Sequence, residues 1–259
     1  MLKHIKRKTV RPAKIDLEKL KKIFPENVPD DVFSNIKFKD VKGYNAIQLM
    51  QDGEVIFSFF YNDNGNACTI PLANPVLIYF NIAQSYLKNI SSRRDDLLRL
   101  FRNKKDLNED AMKIFYEFFG LTSSFIVMLM TSIEAFVNQH IDKDYKYEKL
   151  EQKKYLKVYD YGQILRWISL EDKIEDILNV KYSKDFADKF PNRYVHFKNL
   201  KELRDQIVHT KEGQNHQGYI ELFRKTLNFK FNDSIEAARD FMNYYEPNLI
   251  EPCPCGVDS

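Results

Sequence analysis

The run Leu200-Lys201-Glu202-Leu203-Arg204-Asp205-Gln206-Ile207-Val208-His209 sets an arginine and a histidine apart by four residues. An imidazole titrates near neutrality and can both take and give a proton. A guanidinium stays charged and forks two donors onto a phosphate or a phosphorane. Attack of a ribose 2′-hydroxyl on its neighbouring phosphate, without a metal, needs both: a proton carrier and a cation on the developing charge. Asp205 could orient either partner. Five residues along a helix turn through about 500°, which leaves Arg204 and His209 about 140° apart. One straight helix therefore does not converge them. Either His209 lies past the helix end, or two copies of the chain combine across a symmetric interface.

The same residues have a purely structural reading. Thr131, Glu134 and Asn138 form a polar i, i+3, i+7 stripe on an otherwise apolar segment. An ion pair between Arg204 and Glu134, held between two helices, would account for both residues without catalysis, and its loss would cost folding. His209 could cap a helix C-terminus, where a positive imidazolium is favoured. Other clusters are sparser. His4, His140, His196 and His216 show no metal spacing with carboxylates. Cys253-Pro254-Cys255-Gly256 resembles the opening of a SEC-C-type zinc motif, but no second ligand pair follows, and two thiols do not close a tetrahedral zinc site. Neither a metal nor a cofactor is expected.

These residues need a scaffold, and the chain is built to supply one. Of 259 residues 44% are hydrophobic and 14% aromatic, with only 8 Gly and 9 Pro, which excludes a fibrous or linker-rich chain. Three cysteines are too few and too clustered for a disulfide framework, so a cytoplasmic protein is expected. The basic start, Met1-Leu2-Lys3-His4-Ile5-Lys6-Arg7-Lys8, is followed by no apolar stretch and does not read as a secretory signal. Residues 1–22 hold nine basic groups against Asp16 and Glu18, a surplus of +7 in a chain of net +3, so the rest is mildly acidic. Such an arm is either solvated surface or a grip on polyanions, with Lys6, Arg7, Lys8 and Arg11 as the candidate RNA contacts.

Along the chain, residues 14–24 suggest a short helix ended by Pro25. Residues 37–39, 46–50 and 55–61 are strand-like, and a last strand is expected near 67–70. Asp52-Gly53 and Asn64-Gly65 supply hairpin turns, so a meander of three or four antiparallel strands is predicted. Phe57, Phe59, Phe60 and Tyr61 read as the core of that sheet, with base stacking as their other possible use. From Asn74-Pro75 onward the pattern is helical. Helices are predicted over 76–101, from a capping box at Asp106 and Glu109 to about 141, and over 163–178, 193–209, 219–227 and 233–245. Gly120 and Thr122-Ser123-Ser124 mark a break or bend in the second. Its apolar centre is interrupted by Thr122, Ser124, Thr131 and Glu134, which predicts a bundle core rather than a membrane span.

Arg204, Asp205 and His209 resemble the signature of the HEPN superfamily (higher eukaryotes and prokaryotes nucleotide-binding domain): Arg, a polar residue, then His after four to six positions. Ser132-Ile133-Glu134-Ala135-Phe136-Val137-Asn138-Gln139-His140 is similar to the acidic, aromatic-flanked helix that precedes the motif there. The resemblance covers residues 106–245 and leaves the β-rich part unmatched. It implies a HEPN-like helical bundle, and with the strands read above the expected fold is mainly α, that bundle preceded by a small antiparallel β-module, α+β overall. Residues 1–72 would be arm and β-module, 73–250 the helical domain with an insertion around 142–192, and 251–259 a tail. It further implies a metal-independent endoribonuclease of the defence or toxin type. Arg204 and His209 would be catalytic, and Asp205, Glu134 and Asn138 supporting. A facing homodimer, RNA and an antitoxin or regulatory protein would be the partners. The alternative that it equally implies is a non-catalytic module binding RNA, nucleotide or protein.

Overall fold

A computed structural model describes residues 5–8, 36–49, 55–102, 108–150, 155–209 and 216–253. The helix read over 14–24, together with Arg11, lies outside the described residues. The protein is mainly α with a small antiparallel β-module, and it divides into two compact units, Arg7–Asn74 and Pro75–Ser259 with Met1–Lys6.

In the first unit, β1 (Asn45–Leu49), β2 (Val55–Asp63) and β3 (Asn66–Pro71) form one antiparallel sheet in that order. Asn64 and Gly65 join β2 to β3 with φ of 51° and 91°, the two positive values that a tight hairpin of right-handed twist needs. The register sets Phe59 opposite Asn45 and Ile70, and Tyr61 opposite Cys68. The strand expected at 37–39 is not one. Only Ile36 and Lys37 reach the β3 edge, through Ala67 N–H to Ile36 O at 2.9 Å and a bridge from Lys37 to Asn66. The chain then closes into a helical turn, α1 (Phe38–Val41), because Asp40 N–H bonds back to Lys37 O. Strand alternation also divides the aromatic run. Ile56 and Ser58 are buried, whereas Phe59 and Tyr61 on the opposite face are exposed.

The second unit is a helical bundle. α2 (Pro75–Phe101) begins on its proline, whose missing N–H costs nothing at a first helical position. α3 (Glu109–Gln139) starts at Asn108, whose side chain accepts from Ala111 N–H at 3.0 Å. The cap is thus Asn108 and not the expected Asp106, which lies outside the described residues. α3 runs unbroken through Gly120 and Thr122, since Thr122 Oγ1 folds back onto Phe118 O at 3.0 Å instead of competing for the helix ladder. Phe118, Thr122, Phe125, Ile126, Leu129, Met130, Ile133, Phe136 and Val137 are buried along it, at the 3.6-residue period. α3 is also long and apolar enough to cross a membrane by length and composition; here it is the bundle's central helix, packed on α2.

Between residues 140 and 190 the chain departs furthest from the pattern expected of its sequence. A hairpin of β4 (Tyr147–Leu150) and β5 (Leu156–Tyr159) precedes α4 (Tyr161–Trp167). The single helix expected over 163–178 is split at Ile168, which is extended, and Ser169, whose side chain accepts from Asp172 N–H. α5 (Leu170–Asp172) leads into a π-helical turn (Lys173–Leu178), α6 (Asn179–Tyr182) and α7 (Phe186–Lys189). α8 (Pro191–Val208), α9 (His216–Leu227) and α10 (Phe231–Tyr245) complete the unit. α8 buries Phe197, Leu200 and Leu203, and packs on α10 and α3. That stripe turns Arg204, the next position round, toward α3.

Candidate functional site: a charged cleft between α3 and α8

A cleft of about 340 Å³ lies where α3, α8 and the segment from Leu165 to Lys173 meet. α3 contributes Glu134 and Asn138, one turn apart on one face. α8 contributes Lys201, Arg204 and Asp205. Glu171 and Lys173 enter from the third side, as the break at Ile168 and Ser169 swings α5 toward the cleft. Glu134, Asn138, Arg204 and Asp205, which are far apart in sequence, are thus brought together.

The charges form a chain. Arg204 Nη2 pairs with Glu134 Oε1 and Nη1 with Asp205 Oδ1 at 2.9 Å. The other oxygen of Asp205 takes Lys201 Nζ at 3.1 Å, and Lys201 reaches Glu171 at 2.7 Å. The hydrogen bond to Glu171, helped by Asp205, holds the Lys201 amine above the usual lysine value. With Lys173 included, three cations face three carboxylates, so the cleft is close to neutral. The Arg204 side chain keeps 21% of its surface exposed and Glu134 36%: a half-buried, wet pair.

Lys173 behaves differently. Only 5% exposed, it donates to Asn138 Oδ1 and to Leu165 O, each at 3.1 Å, and both acceptors are neutral. Burial pushes its amine below the usual lysine value. It sits at the start of a π-helical turn, an irregularity that often marks functional positions. Neither Lys173 nor Lys201 was among the candidates read from the sequence. A signal for Lys173 existed: Leu170, Ile174, Ile177 and Leu178 place it on an apolar stripe at helical spacing.

His209 does not join them within one chain. α8 stops at Val208, and His209 is the exposed C-cap, with φ −104° and ψ 47°, its N–H bonding to Asp205 O at 2.9 Å. It is not part of the cleft lining. Of the basic arm, Ile5 is buried and bridges to Pro252, while Lys6 N–H donates to Glu251 O at 2.8 Å. Arg7 is exposed, and the backbone carbonyl of Lys8 accepts from Asn74 N–H at 3.1 Å. Of the remaining histidines, His140 is committed to Phe136 O at 2.8 Å and to Glu246 at 3.5 Å. Among the described residues no group of three or more His, Cys, Asp and Glu could hold a metal ion, and Cys255 lies outside them. Comparison with protein-family models, curated proteins and solved structures finds no match to this chain.

Proposed function

We propose that the protein is a metal-independent endoribonuclease of the HEPN type, of the defence or toxin kind, that acts as a homodimer. The observation that carries this reading is the cleft that gathers Arg204 and Asp205 of α8 with Glu134 and Asn138 of α3, while His209 is left exposed at the end of α8. An acidic, aromatic-flanked helix upstream of the motif is what the resemblance implies, and α3 with Glu134 stands in that place. The exposed histidine is free to meet the arginine of a second copy. Arg204, fixed by Glu134 and Asp205, would carry its guanidinium to the phosphorane oxygens. His209 would relay the proton between the 2′-hydroxyl and the leaving 5′-oxygen, which leaves a 2′,3′-cyclic phosphate.

One observation favours the second reading, a non-catalytic module that binds RNA, nucleotide or protein. The Arg204 guanidinium is already neutralised by two carboxylates, and His209 lies outside its cleft. One experiment decides between them. Purified protein is incubated with single-stranded RNA in excess EDTA, and sedimentation is run in parallel. Cyclic-phosphate ends, a dimer, and a loss of about 10²–10⁴-fold in a His209→Ala protein of unchanged melting support the nuclease. Cleavage that survives in folded His209→Ala, or that requires Mg²⁺, removes it. Binding without cleavage leaves the module.

A further inference from the structure

The β-unit carries a face that the nuclease proposal does not use. On the central strand β2, Phe59 and Tyr61 project from the same side, 37% and 55% exposed, while Ile56 and Ser58 on the other side are buried. Ile70, opposite Phe59, is 37% exposed and Cys68, opposite Tyr61, is exposed as well. Alternate residues of a strand stand about 6.8 Å apart, a separation within reach of neighbouring bases in an extended strand. Lys37 bridges to Asn66 at the sheet edge and donates to Asn66 Oδ1 at 2.9 Å. It also lines a groove of about 460 Å³ with Phe38, Lys39, Lys42, Asn62 and Gly65. The lining contains three exposed lysines and no carboxylate. Among the described residues none of the three is paired with an acid. Asp40 and Asp63 lie nearby in the chain, and Asp63 accepts from the Asn64 amide at 3.1 Å.

Aromatic faces at strand spacing beside lysines with no acid partner among the described residues fit one ligand chemistry better than others. Bases stack on the rings with little regard to sequence, and the phosphates between them take the lysines. A duplex offers the phosphates but keeps its base faces stacked inside. We infer that this sheet is a grip for single-stranded nucleic acid, with bases on Phe59 and Tyr61 and the backbone led into the groove of Lys37, Lys39 and Lys42. RNA is the source that the ribonuclease proposal implies, whereas the grip itself needs neither Arg204 nor His209.

The test measures anisotropy of a labelled oligouridine, the matching oligothymidine and an RNA duplex. It uses the full chain carrying His209→Ala, in EDTA, and the oligomers are run on a denaturing gel after each titration, so that intact RNA is verified independently of the nuclease proposal. Tyr61→Ala and Phe59→Ala should each weaken single-strand binding about 5- to 150-fold, the range of one stacked base. Tyr61→Phe and Phe59→Tyr, which keep a ring, should bind like their parent, and all four should melt like it. Equal losses on both oligomers assign the grip to single strands in general, and losses on oligouridine alone assign it to RNA. Unchanged affinity in well-folded alanine variants overturns the inference. So does duplex binding that matches single-strand binding, or a Tyr61→Ala protein that loses self-association and not nucleic acid. A wild-type chain that fails to cut RNA, while Tyr61→Ala loses binding, separates the two proposals.

Discussion

At the cleft between α3 and α8, charged side chains are linked in a row, Glu134–Arg204–Asp205–Lys201–Glu171. The groove on the β-unit instead gathers Lys37, Lys39 and Lys42 with no carboxylate in its lining. Both regions are rich in cations, but only the groove lines its cations with no carboxylate among them. A guanidinium held by two carboxylates is fixed in position at the cost of net charge, so it suits the recognition of one particular group in one particular place. Exposed amines without acids suit a polyanion met at many registers, because each neutralised phosphate releases a counterion and none needs a fixed geometry. Counting basic residues does not separate these uses; asking what each one touches does.

The largest expected difference is in stability. Removing one member of a fully buried ion pair costs about 3–5 kcal/mol. Arg204 and Glu134 are partly exposed, so Arg204→Ala should cost less, about 2 kcal/mol by the usual value of charge-assisted hydrogen bonds. The joint change Lys39→Ala and Lys42→Ala should stay within about 0.5 kcal/mol, as surface substitutions do. Urea titrations of the two proteins measure this directly. Comparable losses would break the contrast, and an Arg204→Met, Glu134→Leu double variant that recovers most of the loss would sharpen it.

Salt reads the same contrast from the other side. For single strands the slope of log affinity against log salt changes by about 0.7 for each phosphate that the protein neutralises. Single removals of Lys37, Lys39 or Lys42 should each flatten the slope by about that amount, whereas Lys201→Ala, whose charge Glu171 and Asp205 already balance, should leave it nearly unchanged. Slopes that respond to Lys201 and ignore the three groove lysines would reverse the assignment of the two regions.

Much of the scaffold was legible because local chemistry and tertiary packing agree. Asn64-Gly65 forced the β2–β3 hairpin, Pro75 opened α2, and the apolar period of residues 118–137 built the central helix. The site was legible in part: polar residues on an apolar stripe pointed to Glu134 and Asn138, and the pairing with Arg204 was one of the two readings open at that point. What could not be read was set by packing between segments distant in sequence. β4 and β5 are short and rich in charge, and only the burial of Tyr147 against Tyr159 distinguishes them from loop. The π-helical turn that brings Lys173 to the cleft depends on the break at Ile168 and Ser169, where Ser169 with Asp172 marks a helix start but no Gly or Pro marks the stop before it. Periodicity also could not say which half of the aromatic run in β2 would face outward, because that depends on what covers the other side.

The smallest expected effect separates two lysines within the cleft itself. Lys173 is buried against neutral acceptors, and its amine is pushed below the usual 10.5. Between its folded value and 10.5 the unfolded chain holds a proton that the folded chain has released, so stability should rise with pH across that window. Lys201 is the reverse. Its bond to Glu171 lifts the amine above 10.5, so the stability it contributes is complete below that value and is lost as pH climbs through the folded one. Each slope is bounded by about 1.4 kcal/mol per pH unit, and partial exposure of Lys201 reduces its share further. In urea titrations at a series of pH values approaching 10.5 the wild type should therefore gain stability relative to Lys173→Met, since methionine fills the same space without a charge to desolvate. Lys201→Met should leave that gain intact and reduce the decline beyond it, the rest of which comes from the phenols of Tyr147, Tyr182, Tyr194 and Tyr245, pushed above the usual 10 by burial. A wild type that gains nothing on Lys173→Met as pH approaches 10.5 would mean that the Lys173 amine is as well solvated as the groove lysines, and the cleft would lose its buried charge held by neutral acceptors.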